Sequence, residues 1–191
     1  MRKLGLFIIL SFLLLSIYSF TTDRSNIYVN DVNWLTWEQA MEKSKVEKKK
    51  ILVAVYTKWC GWCKKMDKTT YNNPNISSYI NQNFYAVHFD AEQKEPIEFQ
   101  GKVYEYVSPS NRKRGYHEFA SAITMGRMSY PSTIFFDENM DLIQPISGFQ
   151  DDLTFEMIIT YFGDNYFLKV PWEKYERTYI PMPPQVQFIS D

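Results

Sequence analysis

The two cysteines of this chain stand three residues apart, and their surroundings indicate a specific chemistry. Cys60 and Cys63 follow the apolar, β-branched run 51–56 and precede good helix formers that meet no breaker until Pro74. A Cys-x-x-Cys pair between a predicted strand and a predicted helix is typical of redox-active thiols. Unpaired N–H groups and the helix dipole favour a thiolate at Cys60, and Cys63 follows one turn later, within reach of a disulfide. We therefore expect disulfide exchange.

Two other roles for these cysteines have weaker support. A structural zinc site needs about four Cys or His ligands at short paired spacings. Only His88 and His117 remain to complete such a set, and they lie far apart in the sequence. A purely structural disulfide stays open as an alternative, although its loop is too short to constrain the unfolded chain much. We expect neither a metal site nor another cofactor.

The N-terminus predicts export. Arg2 and Lys3 precede an uncharged, largely apolar run over 4–20, which is the pattern of an export signal. We assign residues 1–22 to a signal peptide or to an N-terminal membrane anchor, because the cleavage pattern is poor and the run approaches the roughly 20 residues that span a bilayer. Residues 23–33 are a linker. The predicted location is the bacterial periplasm, with or without anchorage in the membrane.

Composition limits the class of protein further. The formal net charge is −1, and it becomes more negative without the basic start of the signal, so no basic field indicates a nucleic-acid partner. Roughly 170 residues remain after the signal, enough for one domain with a substantial core. Aromatic residues make up 17% of the chain, which favours a well-packed domain over a disordered one. We expect a monomer.

Helical and strand patterns alternate along the rest of the chain. The predicted helices cover 34–47 (capped by Asn33), 60–70, 76–81, 117–125 and a final amphipathic segment after Asp151 or Asp152. The predicted strands cover 51–56, 84–90, 133–136 and an edge strand at 142–146. Segment 91–124 departs from this alternation, with a small hairpin around Gly101. Its basic run at 112–114 is typical of solvated surface, and docking of a partner is the alternative. The tail after Pro171 is expected to be extended.

This order of elements, with Cys-x-x-Cys before one helix and Tyr130-Pro131-Ser132 before a strand, resembles the thioredoxin-like superfamily over about 34–168. It is most similar to exported bacterial thioredoxin-like proteins, including those related to the C-terminal domain of the periplasmic electron-transfer protein DsbD. The resemblance implies an α/β thioredoxin-like fold with a central mixed sheet flanked by helices. Residues 91–124 would be an insertion before the cis-proline strand, and 169–191 a C-terminal extension.

The resemblance also implies catalytic roles. Cys60 would attack as a thiolate, and Cys63 would resolve the mixed disulfide. Thioredoxins carry a buried acid at the position of Ala54, where it assists proton transfer from the resolving cysteine. Its replacement leaves that task to water or to another group. The candidate groups near the motif are Lys58, Asp67, His88 and Asp90.

A substrate-binding surface is implied around the same motif. Trp59 would shield the sulfurs and offer substrate an apolar contact, with Gly61 and Trp62 beside it. Pro131 would be cis, which costs an X–Pro bond only about 0.5–1 kcal/mol. The Tyr130 backbone would then be free to pair with an extended substrate peptide.

These residues predict an extracytoplasmic thiol–disulfide oxidoreductase. Its substrates would be protein or peptide disulfides or dithiols, most simply disulfides that it reduces with electrons from a membrane donor. The Gly-Trp dipeptide between the cysteines differs from the Gly-Pro of thioredoxin, so the reduction potential does not follow from the resemblance. The alternative is a non-catalytic module that binds extended peptides at the Pro131 edge and keeps a structural disulfide.

Overall fold

The computed structural model describes residues 31–108, 110 and 114–184. The predicted signal peptide or anchor and most of the predicted linker therefore lie outside the described residues. Six α-helices are found in the described parts of the chain: α1 Trp37–Val46, α2 Gly61–Lys68, α3 Pro74–Asn83, α4 Glu118–Ile123, α5 Asp152–Gly163 and α6 Trp172–Thr178. The strands there are β1 Lys50–Tyr56, β2 Phe84–Asp90, β3 Ile97–Phe99, β4 Lys102–Tyr104, β5 Tyr106–Val107, β6 Tyr116–His117, β7 Ser132–Phe136 and β8 Leu142–Ser147.

A four-stranded mixed sheet forms the centre of the fold. Its strand order is β2-β1-β7-β8, with β1 parallel to β2 and the other two pairs antiparallel. A parallel pair needs a crossover connection, and α2 and α3 provide it between β1 and β2. The predicted α/β class with a central mixed sheet flanked by helices is confirmed.

Strand β1 places apolar side chains on both faces of the sheet, because successive residues of a strand point to opposite sides. Leu52 and Ala54 join the core that includes Met66 of α2. Ile51, Val53 and Val55 join the core on the other face, together with Trp37 of α1 and Phe119 of α4. Helical cover on both faces explains why the strand sequence is continuously apolar rather than alternating.

Helix α1 begins three residues later than the sequence pattern predicted. Thr36 is the N-cap: its side chain accepts a hydrogen bond from the Gln39 N–H at 3.2 Å, and the Gln39 side chain accepts one from the Thr36 N–H at 2.9 Å. Leu35 is extended and bridges to Val87 of β2. The prediction of Asn33 as the cap was wrong because this reciprocal Thr-x-x-Gln capping box is the stronger start signal.

Segment 91–124, predicted to be an insertion and called the insertion below, contains two small antiparallel pairs followed by a helix. The predicted hairpin is β3 and β4, which pair from Ile97↔Tyr104 to Phe99↔Lys102. The pair of β5 with β6 was not predicted. Helix α4 is shorter than the predicted 117–125 segment, since His117 caps it from the preceding strand.

Neutral His117 connects two parts of the insertion by hydrogen bonds. It is fully buried, its Nδ1 accepts the Phe119 N–H at 3.1 Å, and its Nε2 lies 3.0 Å from the Glu95 carbonyl oxygen. An accepting Nδ1 requires the Nε2–H tautomer, which donates to that carbonyl. Burial lowers the pKa of His117 below the usual 6.5, although the Glu95 carbonyl and the carboxylates of Glu118 and Glu95 partly oppose this shift.

We expect this histidine to make stability depend on pH. The pKa of His117 is lower in the folded state than in the unfolded state. Its contribution to the free energy of unfolding is therefore fully present above about pH 6.5 and is lost as the pH falls below that value towards the folded-state pKa. Urea unfolding measures the free energy of unfolding at about pH 7.5 and at about pH 5.5. Between these two pH values, this free energy should fall more for the wild type than for His117→Asn. Equal losses in the two proteins would contradict this account.

The chain after Pro171 is helical first and extended only later. Helix α6 was predicted as extended chain, but Trp172 and Tyr175 lie three residues apart and both pack against Tyr161 of α5, at 5.2 and 5.0 Å between ring centroids. The extended part is held by the buried Glu156, which accepts from the Tyr179 hydroxyl and the Met182 N–H, both at 2.7 Å.

A helix needs roughly 20 predominantly apolar residues to cross a bilayer. No helix in the described parts of the chain is long and apolar enough to do so.

Candidate active site

Cys60 and Cys63 are joined by a disulfide at the start of α2, with their Cα atoms 5.3 Å apart. The Cys60 N–H donates to the Thr57 carbonyl at 3.0 Å, so a tight turn after β1 brings Cys60 to the N-cap position of the helix. Its Sγ accepts the Cys63 N–H at 3.0 Å. After reduction this N–H and the helix dipole would stabilise a Cys60 thiolate.

The sulfur atoms belong to buried residues between exposed tryptophans. Cys60 and Cys63 are 5% and 3% exposed, whereas Trp59 and Trp62 are 48% and 58% exposed. A molecule that approached the disulfide from solvent would therefore meet aromatic surface before it met sulfur. The contact of the two tryptophans with substrate stays a prediction.

Trp59 is held by residues from three other parts of the chain. Its indole N–H donates to the Glu92 carboxylate at 3.1 Å, and the Arg114 guanidinium lies 4.6 Å from its ring centroid. The Tyr130 ring is nearly perpendicular to the Trp59 ring, with the two ring centroids 5.9 Å apart. Glu92 and Arg114 belong to the 91–124 insertion, which therefore reaches the redox motif. Sequence reasoning missed both residues: the basic run that ends at Arg114 was expected to be solvated surface.

Trp62 has a different set of neighbours. Phe149 lies 5.4 Å from it in a tilted arrangement, and the Lys65 ammonium is 4.9 Å from the Trp62 ring and 4.8 Å from the Phe149 ring. Such cation–π contacts at exposed sites are worth about 0.5–1 kcal/mol. Gly61, between the cysteines, faces open space: an added Cβ would meet no atom within 4 Å. Its predicted contact with substrate stays a prediction.

The Tyr130–Pro131 peptide bond is cis. The Pro131 carbonyl accepts the Gly148 N–H at 2.8 Å, and β7 begins at the next residue. Within the described residues, Tyr130 makes no backbone–backbone hydrogen bond. Strand addition would use this N–H and C=O, and their pairing with an extended peptide stays a prediction.

Ala54 is buried on the sheet face that α2 covers, and its register partner in β2 is His88. Partners in a parallel pair point to the same face, so a titratable side chain stands beside the position of the missing acid. The His88 ring stacks on Tyr56 with centroids 4.1 Å apart, and its Nε2 lies 3.6 Å from the Asp67 carboxylate. Asp67 follows Cys63 by one helical turn.

The two other candidates for proton transfer form a second pair. The Lys58 ammonium is 3.6 Å from the Asp90 carboxylate, on the Trp59 side of the motif. The four candidates are thus divided into His88 with Asp67 and Lys58 with Asp90. Their part in proton transfer stays a prediction.

The tyrosines near the motif are held neutral. Burial, then the carboxylates of Asp90 and Asp67, raise the pKa of Tyr56. Burial, then Glu92 and Asp90, raise the pKa of Tyr130. Neither phenol is therefore suited to accept a proton from a thiol near neutral pH.

Metal-ligating side chains are dispersed in this structure. In the described ranges, no group of three or more His, Cys, Asp or Glu residues is placed to hold an ion.

Solved structures share this architecture. A thioredoxin-fold protein from Helicobacter pylori matches with a TM-score of 0.54 and 17% identity, over 68% of this chain and 83% of that chain. A thioredoxin from Thermus thermophilus matches with a TM-score of 0.50 and 12% identity, over 71% and 93% of the respective chains. At these identities the likeness establishes the fold, and the predicted thioredoxin-like fold is confirmed.

Sequence comparison gives the family. Spermatogenesis-associated protein 20 of Rattus norvegicus is 34% identical over 76 residues, which are 39% of this chain and 9% of that protein. The match therefore spans less than a tenth of that relative. Residues 24–144 match the family described as "Thioredox_DsbH: Protein of unknown function, DUF255". The chain belongs to this DsbH-like family of the thioredoxin-like superfamily.

Proposed function

We propose that the protein is a thiol–disulfide oxidoreductase that works outside the cytoplasm and reduces disulfides of proteins or peptides. The observation that carries this proposal is the Cys60 Sγ at the N-cap of α2, bonded to Cys63 and accepting a helix N–H. A structural disulfide does not need that position. A reactive thiolate gains stability from it.

The reaction is a two-electron exchange. In the reduced protein, the Cys60 thiolate attacks one sulfur of the substrate disulfide, and the other substrate sulfur leaves as a thiolate that takes up a proton. Cys63, having lost its proton, then attacks the Cys60 sulfur and releases the second substrate thiol. The substrate gains two electrons and two protons, and the protein is left with the Cys60–Cys63 disulfide. A membrane electron donor of the dithiol class would return the two electrons.

Export is the second part of the proposal. The charged start and the uncharged run over 4–20 support a signal or an N-terminal anchor, and either would place the domain in an oxidising compartment such as the bacterial periplasm. A relationship to the C-terminal domain of DsbD fits electron transfer there. The active unit in this proposal is a monomer.

The reduction potential of the Cys60/Cys63 pair tests the direction of electron flow. Alkylation trapping and mass spectrometry across a dithiol redox buffer would measure it. We expect a value near the roughly −270 mV of thioredoxin, which suits a reductant. A value near the roughly −120 mV of DsbA would instead indicate an oxidant that introduces disulfides.

A peptide-binding module is the second candidate, and one observation favours it: the cysteines are almost fully buried, while the Tyr130 backbone makes no hydrogen bond to the described backbone. This candidate requires a pair that stays oxidised throughout the buffer series. It also requires peptide affinity that is unchanged in a variant with both cysteines replaced by alanine.

A further inference from the structure

A polar cavity of about 300 Å³ lies next to Trp59. Its walls are formed by Lys58, Asp90, Glu92, Lys94, Tyr106 and Arg114. Lys58 follows β1 by two residues, Asp90 is the last residue of β2, and the other four belong to the 91–124 insertion. Glu92 and Arg114 also contact Trp59, so the cavity and the redox motif share a wall.

The two carboxylates of the cavity already have partners. Asp90 lies 3.6 Å from the Lys58 ammonium and accepts the Glu92 N–H at 2.9 Å. Glu92 accepts the Trp59 indole N–H. Both carboxylates therefore already have partners within the protein. Of the three cations that line the cavity, Lys58 is paired with a carboxylate.

The two other cations of the cavity rest on aromatic rings. The Lys94 ammonium lies over the Tyr106 ring, and the Arg114 guanidinium lies over the Trp59 ring. Neither side chain has a carboxylate within salt-bridge distance among the described residues. A ring face attracts a cation but does not neutralise its charge, so the cavity keeps an excess of positive charge.

From this arrangement we infer that the cavity binds an acidic side chain of the substrate, close to the cysteine that Cys60 attacks. Arg114 and Lys94 are the specificity-determining residues. The inference rests on the proposed disulfide exchange and adds the substrate class: peptides with Asp or Glu beside the disulfide. A guanidinium carries five N–H donors, and no carboxylate of the described residues lies within salt-bridge distance of Arg114, so Arg114 can contact the Trp59 ring and bind a substrate carboxylate at the same time.

Two peptides test this specificity. Each carries the same disulfide, and they differ only in Glu or Gln beside the reactive cysteine. Reduced full-length protein is mixed with each oxidised peptide, and the second-order rate constants of thiol exchange are compared in single turnovers, so no electron donor is needed. We expect the wild type to react about fivefold faster with the Glu peptide, the size of one partly exposed charge pair. High salt should reduce this ratio.

Variants of the cavity test whether its cations cause the preference for the Glu peptide. Arg114→Gln and Lys94→Gln should each lower the Glu/Gln rate ratio, and the double variant should bring it near one. Lys43→Gln, which removes an exposed cation from α1, is the matched control and should keep the wild-type ratio. Equal rates of the wild type with both peptides, or a ratio that survives in the double variant, would overturn the inference and leave the proposed function standing. Failure to react with either peptide would overturn the proposed function as well.

Discussion

Cys60→Ser is expected to abolish the reduction of insulin disulfides, because serine cannot form the mixed disulfide that begins the exchange. Cys63→Ser is expected to stop one step later. The attack on substrate can still occur, but no second thiol is present to release it. Turnover is measured by the precipitation of the reduced insulin chains. Mass spectrometry of alkylated samples detects the mixed disulfide that accumulates when its release is blocked.

Comparing the two variants distinguishes a loss of thiol reactivity from a loss of folding stability. Both lose the same disulfide, so reduced wild-type protein is the matched control for the free energy of unfolding of each. An adduct that accumulates with Cys63→Ser and is absent with Cys60→Ser would identify Cys60 as the attacking residue. Full insulin reduction by Cys60→Ser would remove the basis for assigning activity to this site.

Phe119→Ala is expected to lower the free energy of unfolding by about 3–5 kcal/mol, the usual cost of removing a buried aromatic ring. Phe119 is fully buried, and its ring centroid lies 4.5 Å from that of Trp37, 5.4 Å from Phe89 and 5.7 Å from Phe99. These contacts join α4 to α1, to β2 and to the hairpin of the insertion. Urea unfolding measures the loss.

A matched control for this prediction lies in the same insertion. Val103 is 56% exposed, so Val103→Ala should change the free energy of unfolding by less than about 0.5 kcal/mol. A cost below about 1 kcal/mol for Phe119→Ala would show that the core can close over the missing ring. It would also show that the insertion does not depend on this contact for its place beside the motif.

Local patterns in the sequence were sufficient to locate the redox motif. The β-branched run 51–56, the cysteine spacing and the Tyr130-Pro131 step are all short-range signals, and the structure has a strand, a helix N-terminus and a cis bond at those places. Where local signals compete, the sequence was less informative. The start of α1 depended on choosing between Asn33 and Thr36 as the cap. Helix α6 was not predicted because the prolines that surround it favoured an extended chain.

The surroundings of the motif were decided by tertiary structure. Glu92 and Arg114 contact Trp59 from 33 and 55 positions further along the chain, and neither has a local pattern that distinguishes it from solvated charge. Likewise, His88 stands beside Ala54 only because β1 and β2 pair in parallel with that register. The place of the cysteine pair, and the chemistry predicted for it, thus followed from neighbouring residues. The charges and rings around it were determined by the pairing of strands and the packing of the insertion, which bring distant residues together and which no short stretch of sequence encodes.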